Sequence, residues 1–151
     1  MKTKVQDDYF SFQKASSDEN HETYGMGPCI AVGIYDKISG DSYITHMPLM
    51  QKDFEEEIKE IKENVNYSKT FVYACGGGLD SYNSEEASSA TLESRKTVKE
   101  ALYDTFKKEN IEIHWNKLDQ QSNLFIDKKK KKMFHTIEDI VLPEAPLDDF
   151  Y

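Results

Sequence analysis

Short apolar runs, each closed by a turn signal, set the pattern of this chain. "CIAVGIYD" (29–36) is rich in β-branched residues, with Gly-Pro before it and "DKISGD" after it. That pattern predicts a buried strand and then a turn. "SYITHMP" (42–48) alternates and predicts the returning strand of a hairpin, ended by Pro48. In "QKDFEEEIKEIKENV" (51–65), Phe54, Ile58, Ile61 and Val65 recur at helical spacing, with Glu and Lys on the other side. This predicts an amphipathic helix. "KTFVYACGGG" (69–78) reads as a second buried strand, ended by three glycines. "LDSYNSEEASSATLE" (79–93) is polar and reads as a long connection. "SRKTVKEALYDTFKKEN" (94–110) predicts another helix, capped by Ser94, with Val98, Leu102 and Phe106 as its stripe.

"IEIHWNKL" (111–118), "NLFID" (123–127) and "KMFHTI" (132–137) predict three strands, the last two a hairpin around a lysine turn. Toward the N-terminus, Tyr9, Phe10 and Phe12 suggest a short edge strand, and "SSDENHET" (16–23) reads as a loop. "VLPEAPLDDFY" (141–151) reads as an acidic tail. No internal repeat is visible. The element order predicts an α+β or mixed α/β domain, a sheet core with two helices packed outside. The expected organisation is a partly flexible segment 1–22, a folded domain 23–140 and the tail 141–151.

Composition narrows the function classes. At 151 residues one domain is expected, and nine Tyr and eight Phe supply apolar area enough to exclude wholesale disorder. A net charge of −9 argues against nucleic acid and against an anionic membrane surface. No apolar stretch reaches the roughly 18 residues of a membrane span. The N-terminus has no apolar core of a signal peptide. Two cysteines make no disulfide framework and suit a reducing compartment. The expectation is a cytoplasmic protein, or one secreted by a route that reads other signals.

Candidate chemistry concentrates at Cys29 and His46. A thiol at the mouth of a strand, just after "GMGP", has a loop beside it, where backbone N–H groups can hold an oxyanion. It also suits a small buried hydrophobe. If 29–36 and 42–48 form a hairpin, Cys29 faces residues 46–49, and an imidazole there can take the thiol proton. A third group would orient that imidazole; Thr23, Glu22 and Asp18 are the upstream candidates.

With these residues in view, "GPCIAVGIYDKISGDSYITHMPL" resembles the signature of the CheD family of chemoreceptor glutamine deamidases. Thr23, six residues before Cys29, and His46, seventeen after it, match the family's Thr-Cys-His triad spacing. "FVYACGGG", "SRKTVKEALYDTFKKENIEIHWNKL" and "SNLFIDKKKKKMF" resemble its later strand, helix-strand and closing hairpin, so the likeness spans roughly residues 23–137. Pro28 stands where the family has Ser, and "ESRKT" and "DQQSN" lack the family's Gly, Asn and Arg. The resemblance implies a mixed β-sandwich flanked by helices, also known in deamidating bacterial toxins and effectors. It implies that Cys29 attacks a glutamine side chain of a protein substrate, a chemoreceptor or a host protein. His46 is then base and acid, Thr23 its orienter, and the backbone around Gly27 and Pro28 the oxyanion site. No cofactor is required. A chemotaxis phosphatase or receptor is the implied partner. The alternative it implies is a CheD-like binding or adaptor module without turnover.

The remaining signals read as structure. Cys75 before "GGG" lacks the ending of a phosphate loop and reads as a strand end with a flexible turn. "KKKKK" (128–132) reads as a solvated hairpin turn. His21, His114 and His135 show no metal-ligand spacing with either cysteine.

Overall fold

The apolar run near residue 30 is buried along its length because it is covered on both faces, and that strand organises the molecule. The computed structural model describes residues 1–7 and 11–140. Its strands are β1 (Lys2–Gln6), β2 (Gln13–Ala15), β3 (Glu19–Met26), β4 (Ile30–Asp36), β5 (Ser42–Met47), β6 (Thr70–Gly76), β7 (Ile111–Trp115), β8 (Gln120–Asp127) and β9 (Lys132–Asp139). Two α-helices accompany them, α1 (Phe54–Glu63) and α2 (Glu85–Thr105). One sheet has the order β1-β3-β8-β9 and the other β2-β5-β4-β6-β7. Each mixes parallel and antiparallel pairs. The result is an α+β domain, a two-sheet sandwich with both helices on the outer face of the five-stranded sheet.

Strand alternation assigns the two cores. Ile30, Val32 and Ile34 of β4 face Phe54, Ile58 and Ile61 of α1 and Val98 and Leu102 of α2. Ala31 and Tyr35 face the second sheet and meet Leu124 and Ile126 of β8. Each such aliphatic chain contributes roughly 1.5–3 kcal/mol on full burial, which is what holds helices with heavily charged outer faces. Gly33 lets the sheets approach, since a Cβ there would lie 3.2 Å from Leu124 Cδ2 and 3.3 Å from Ile126 Cδ1.

Several expectations are corrected. Of residues 16–23 only 16–18 are a loop, because β3 begins at Glu19 and pairs with β1 and β8. Its polar sequence conceals alternation in which His21 and Thr23 point inward. Residues 79–93 are not one long connection. Ser84 caps α2, its side chain accepting from the Ala87 N–H at 3.1 Å, and the helix runs through "EEASSATLE". Ser94 is therefore a buried mid-helix residue, accepting from the Met50 N–H at 3.4 Å. That first half carries no apolar stripe, which hid it from periodicity, but its Glu, Ala and Leu favour helix.

The lysine turn is not wholly solvated either. Lys128 is buried and its ammonium donates to Ser16 O at 2.7 Å, while burial lowers its pKa to about 8. Phe12 stacks on Phe54, with ring centroids 5.9 Å apart. Tyr9, Phe10 and the tail 141–151 lie outside the described residues. No helix among the described residues is long and apolar enough to cross a membrane.

Candidate active site

Three chain segments converge where β3 leaves one sheet and β4 enters the other. The pairing of β3 with β8 is irregular between Thr23 and Met26, and Gly25 sits there at φ +77°. Left-handed backbone of that kind favours glycine. This bulge swings the chain across the sandwich and sets Cys29 directly before β4. On the neighbouring strand β5, His46 is paired with Ala31, and Ile30 with Met47. Cys29 and Ala31, two residues apart, share a face by alternation, so thiol and imidazole both turn toward the space between the sheets. Cys29 and His46 line one open cleft of about 400 Å³, with Val5, Gln6, Asp7, Tyr24 and Gly25. Cys29 is partly buried and His46 is 5% exposed.

Thr23 joins them from the opposite sheet. Its hydroxyl oxygen lies 2.8 Å from His46 Nδ1 and 2.8 Å from the backbone oxygen of Gln6. A carbonyl oxygen can only accept, so the hydroxyl proton goes to Gln6. Thr23 Oγ1 must then accept from the N–H at His46 Nδ1. The neutral ring therefore carries its lone pair on Nε2, the atom available as a base. Of the three upstream candidates, Thr23 is the one placed on the imidazole. Glu22 alternates to the other face of β3, and the Asp18 carboxylate accepts from Ser16 Oγ in the preceding turn. A second rung repeats the pattern two residues back: His21 Nδ1 lies 2.9 Å from Ser42 Oγ. His21 is fully buried, and that burial drives its pKa down to about 3, so it stays neutral.

The glycine run after β6 immobilises the Cys29 loop. Gly77 N–H donates to Cys29 O at 2.8 Å and Gly78 N–H to Gly27 O at 2.7 Å. Gly76, at φ +94°, allows this approach, because a Cβ there would stand 2.2 Å from Cys29 O and 2.8 Å from Met26 Cβ. Asn116 adds a side-chain clamp, its Nδ2 donating to Met26 O at 2.7 Å and Gly27 O at 3.2 Å. Arg95 of α2 closes the ring, its Nε donating to Gly77 O at 2.6 Å. The expected flexible turn is thus a fixed cradle for the cysteine loop.

The expected oxyanion residues do not provide donors. Pro28 has no N–H, and the Gly27 N–H donates to Gly25 O at 3.1 Å. Cys75 lies in the inter-sheet core at 0% exposure, and burial pushes its thiol pKa up to about 12. His21, His114 and His135 belong to no group of three His, Cys, Asp or Glu residues, among the described residues, that could hold a metal ion.

The chain matches no protein-family model and no curated protein. Sequence reading missed two residues of the site. Asn116 gave no signal, because its clamp depends on the packing of the β7–β8 connection against the Cys29 loop. Gln6 was hidden in a segment read as partly flexible; only its parallel pairing with Thr23 brings it to the site.

Proposed function

We propose that the protein is a cysteine hydrolase that deamidates glutamine side chains of a protein substrate. The observation that carries this reading is the Thr23–His46 hydrogen bond, whose direction Gln6 O dictates and which presents the Nε2 lone pair in the cleft shared with Cys29. In this scheme His46 Nε2 takes the Cys29 proton and the thiolate attacks the side-chain amide carbon, forming the S–C bond. The imidazolium returns the proton to the amide nitrogen as the C–N bond breaks, and ammonia leaves. Water, deprotonated by the same His46, cleaves the thioester to give glutamate and restore the thiol. The spacing of Thr23, Cys29 and His46 and the resemblance to CheD-type deamidases support this chemistry over other thiol chemistry. The substrate is a chemoreceptor or, for an effector, a host protein, and the site of action is a reducing compartment such as the cytoplasm.

The test is incubation of wild type and Cys29→Ala with extracted cellular proteins, with glutamine-to-glutamate conversion read by peptide mass spectrometry. Conversion at defined glutamines with wild type alone is the expected result. Identical spectra from the two proteins, across extracts from several sources, would refute deamidation. The occupied Gly27 N–H and the missing donor at Pro28 favour a second reading, a binding module that keeps the cleft without turnover. Under that reading Cys29 alkylates slowly near neutral pH; a working triad makes it fast.

A further inference from the structure

Gln6 has an inverted environment. It ends β1, an edge strand in which Val5 points outward at 53% exposure while Gln6 is 2% exposed. A strand placed only by hydrophobicity would take the opposite register. The parallel pairing of Gln6 with Thr23 puts both side chains on one face, toward the cleft that holds Cys29 and His46. The side-chain Nε2 donates to Asp7 O at 3.3 Å, which fixes which end of the amide is which. Its Oε1 is buried with no hydrogen-bond partner among the described residues. A buried acceptor left in that state is costly, and here it belongs to a residue that lines the same cleft as Cys29. A ligand that brings an N–H to that position would satisfy it.

We propose that Gln6 Oε1 accepts a hydrogen bond from the carboxamide NH2 of the substrate glutamine and thereby selects primary amides over esters. This rests on the hydrolase reading above. The amide nitrogen keeps at least one N–H from the bound substrate through the tetrahedral intermediate to departing ammonia, so the contact persists through bond cleavage. The corresponding oxygen of a glutamyl methyl ester carries no hydrogen and sets lone pairs against Oε1. A site built around a substrate N–H rejects the analogue that lacks it because its own polar group is then left unpaired.

The test uses two matched acetylated peptides, one with glutamine and one with glutamate γ-methyl ester at the same position. For wild type, Gln6→Met and Gln6→Glu, kcat/KM is measured on each peptide. The readout is the amide-to-ester ratio, which does not depend on how much of a variant folds. For one lost hydrogen bond, Gln6→Met should lower that ratio about 10- to 100-fold. Gln6→Glu keeps an acceptor oxygen and should hold the ratio near wild type even though its charge slows both reactions. An unchanged ratio in Gln6→Met, or an equal fall of the ratio in both variants, overturns the selectivity role and leaves the hydrolase reading standing. A wild-type protein that turns over neither peptide and forms no acyl adduct on Cys29 overturns both.

Discussion

Thr23→Val is the sharpest probe of the site, because valine keeps the shape of threonine and removes one atom that makes two buried hydrogen bonds. Without Oγ1, Gln6 O loses its donor and the His46 Nδ1–H loses its acceptor, each 2.8 Å away. An orphaned buried polar group costs about 1–3 kcal/mol, so melting should fall by roughly 5–15 °C for a domain of this size. The chemical consequence is separate. With no acceptor at Nδ1, the neutral imidazole is free to carry its proton on Nε2, where it no longer serves as a base. Loss of an oriented general base is worth about 10²- to 10⁴-fold, and Cys29 alkylation near neutral pH should slow by about 10²-fold. Iodoacetamide labelling resolved by peptide mass spectrometry, across pH 6 to 9, reads this directly. Thr23→Ser retains the hydroxyl and should recover most of the rate. If Thr23→Val, folded and at the same temperature, alkylates at the wild-type rate, the imidazole it orients is not the base for Cys29.

Other consequences follow from the same geometry. Gly76→Ala forces a Cβ to within 2.2 Å of Cys29 O at a left-handed backbone angle; it should destabilise the protein by at least about 1–3 kcal/mol in urea unfolding and change Cys29 reactivity with it. Cys75 should resist alkylation in the folded protein up to about pH 9 and react only on unfolding, since burial holds its thiol at a pKa of about 12. Equal labelling of both cysteines at neutral pH would contradict this. His21 stays neutral when folded but binds a proton when unfolded. Its stabilising contribution is therefore complete above its ordinary pKa of 6.5 and is lost as pH falls from there toward about 3. By pH 5 the loss is about 2 kcal/mol, and chemical denaturation of His21→Gln should show a correspondingly shallower decline between pH 7 and 5.

Local pattern was enough to find what local pattern controls. The apolar runs at β4 and β6, the hairpin of β4 with β5, and the stripes of α1 and the second half of α2 all followed from side-chain period and turn residues. So did the α+β class. The spacing of Thr23, Cys29 and His46 made those residues candidates before any geometry was known. Polar elements escaped, because β3 and the first turns of α2 owe their form to backbone pairing and capping, and those leave no hydrophobic period.

What only the tertiary structure decided lies between the sheets. Which way the Thr23 hydroxyl points depends on Gln6 O, which arrives through a parallel pairing of strands separated by β2 in the chain. The rigidity of the cysteine loop depends on Gly76–Gly78 and Asn116, far along the sequence. A sequence records which donors and acceptors exist. Direction, burial and the Gln6 oxygen left without a partner among the described residues are set by long-range neighbours, and these exist only once the sandwich has closed.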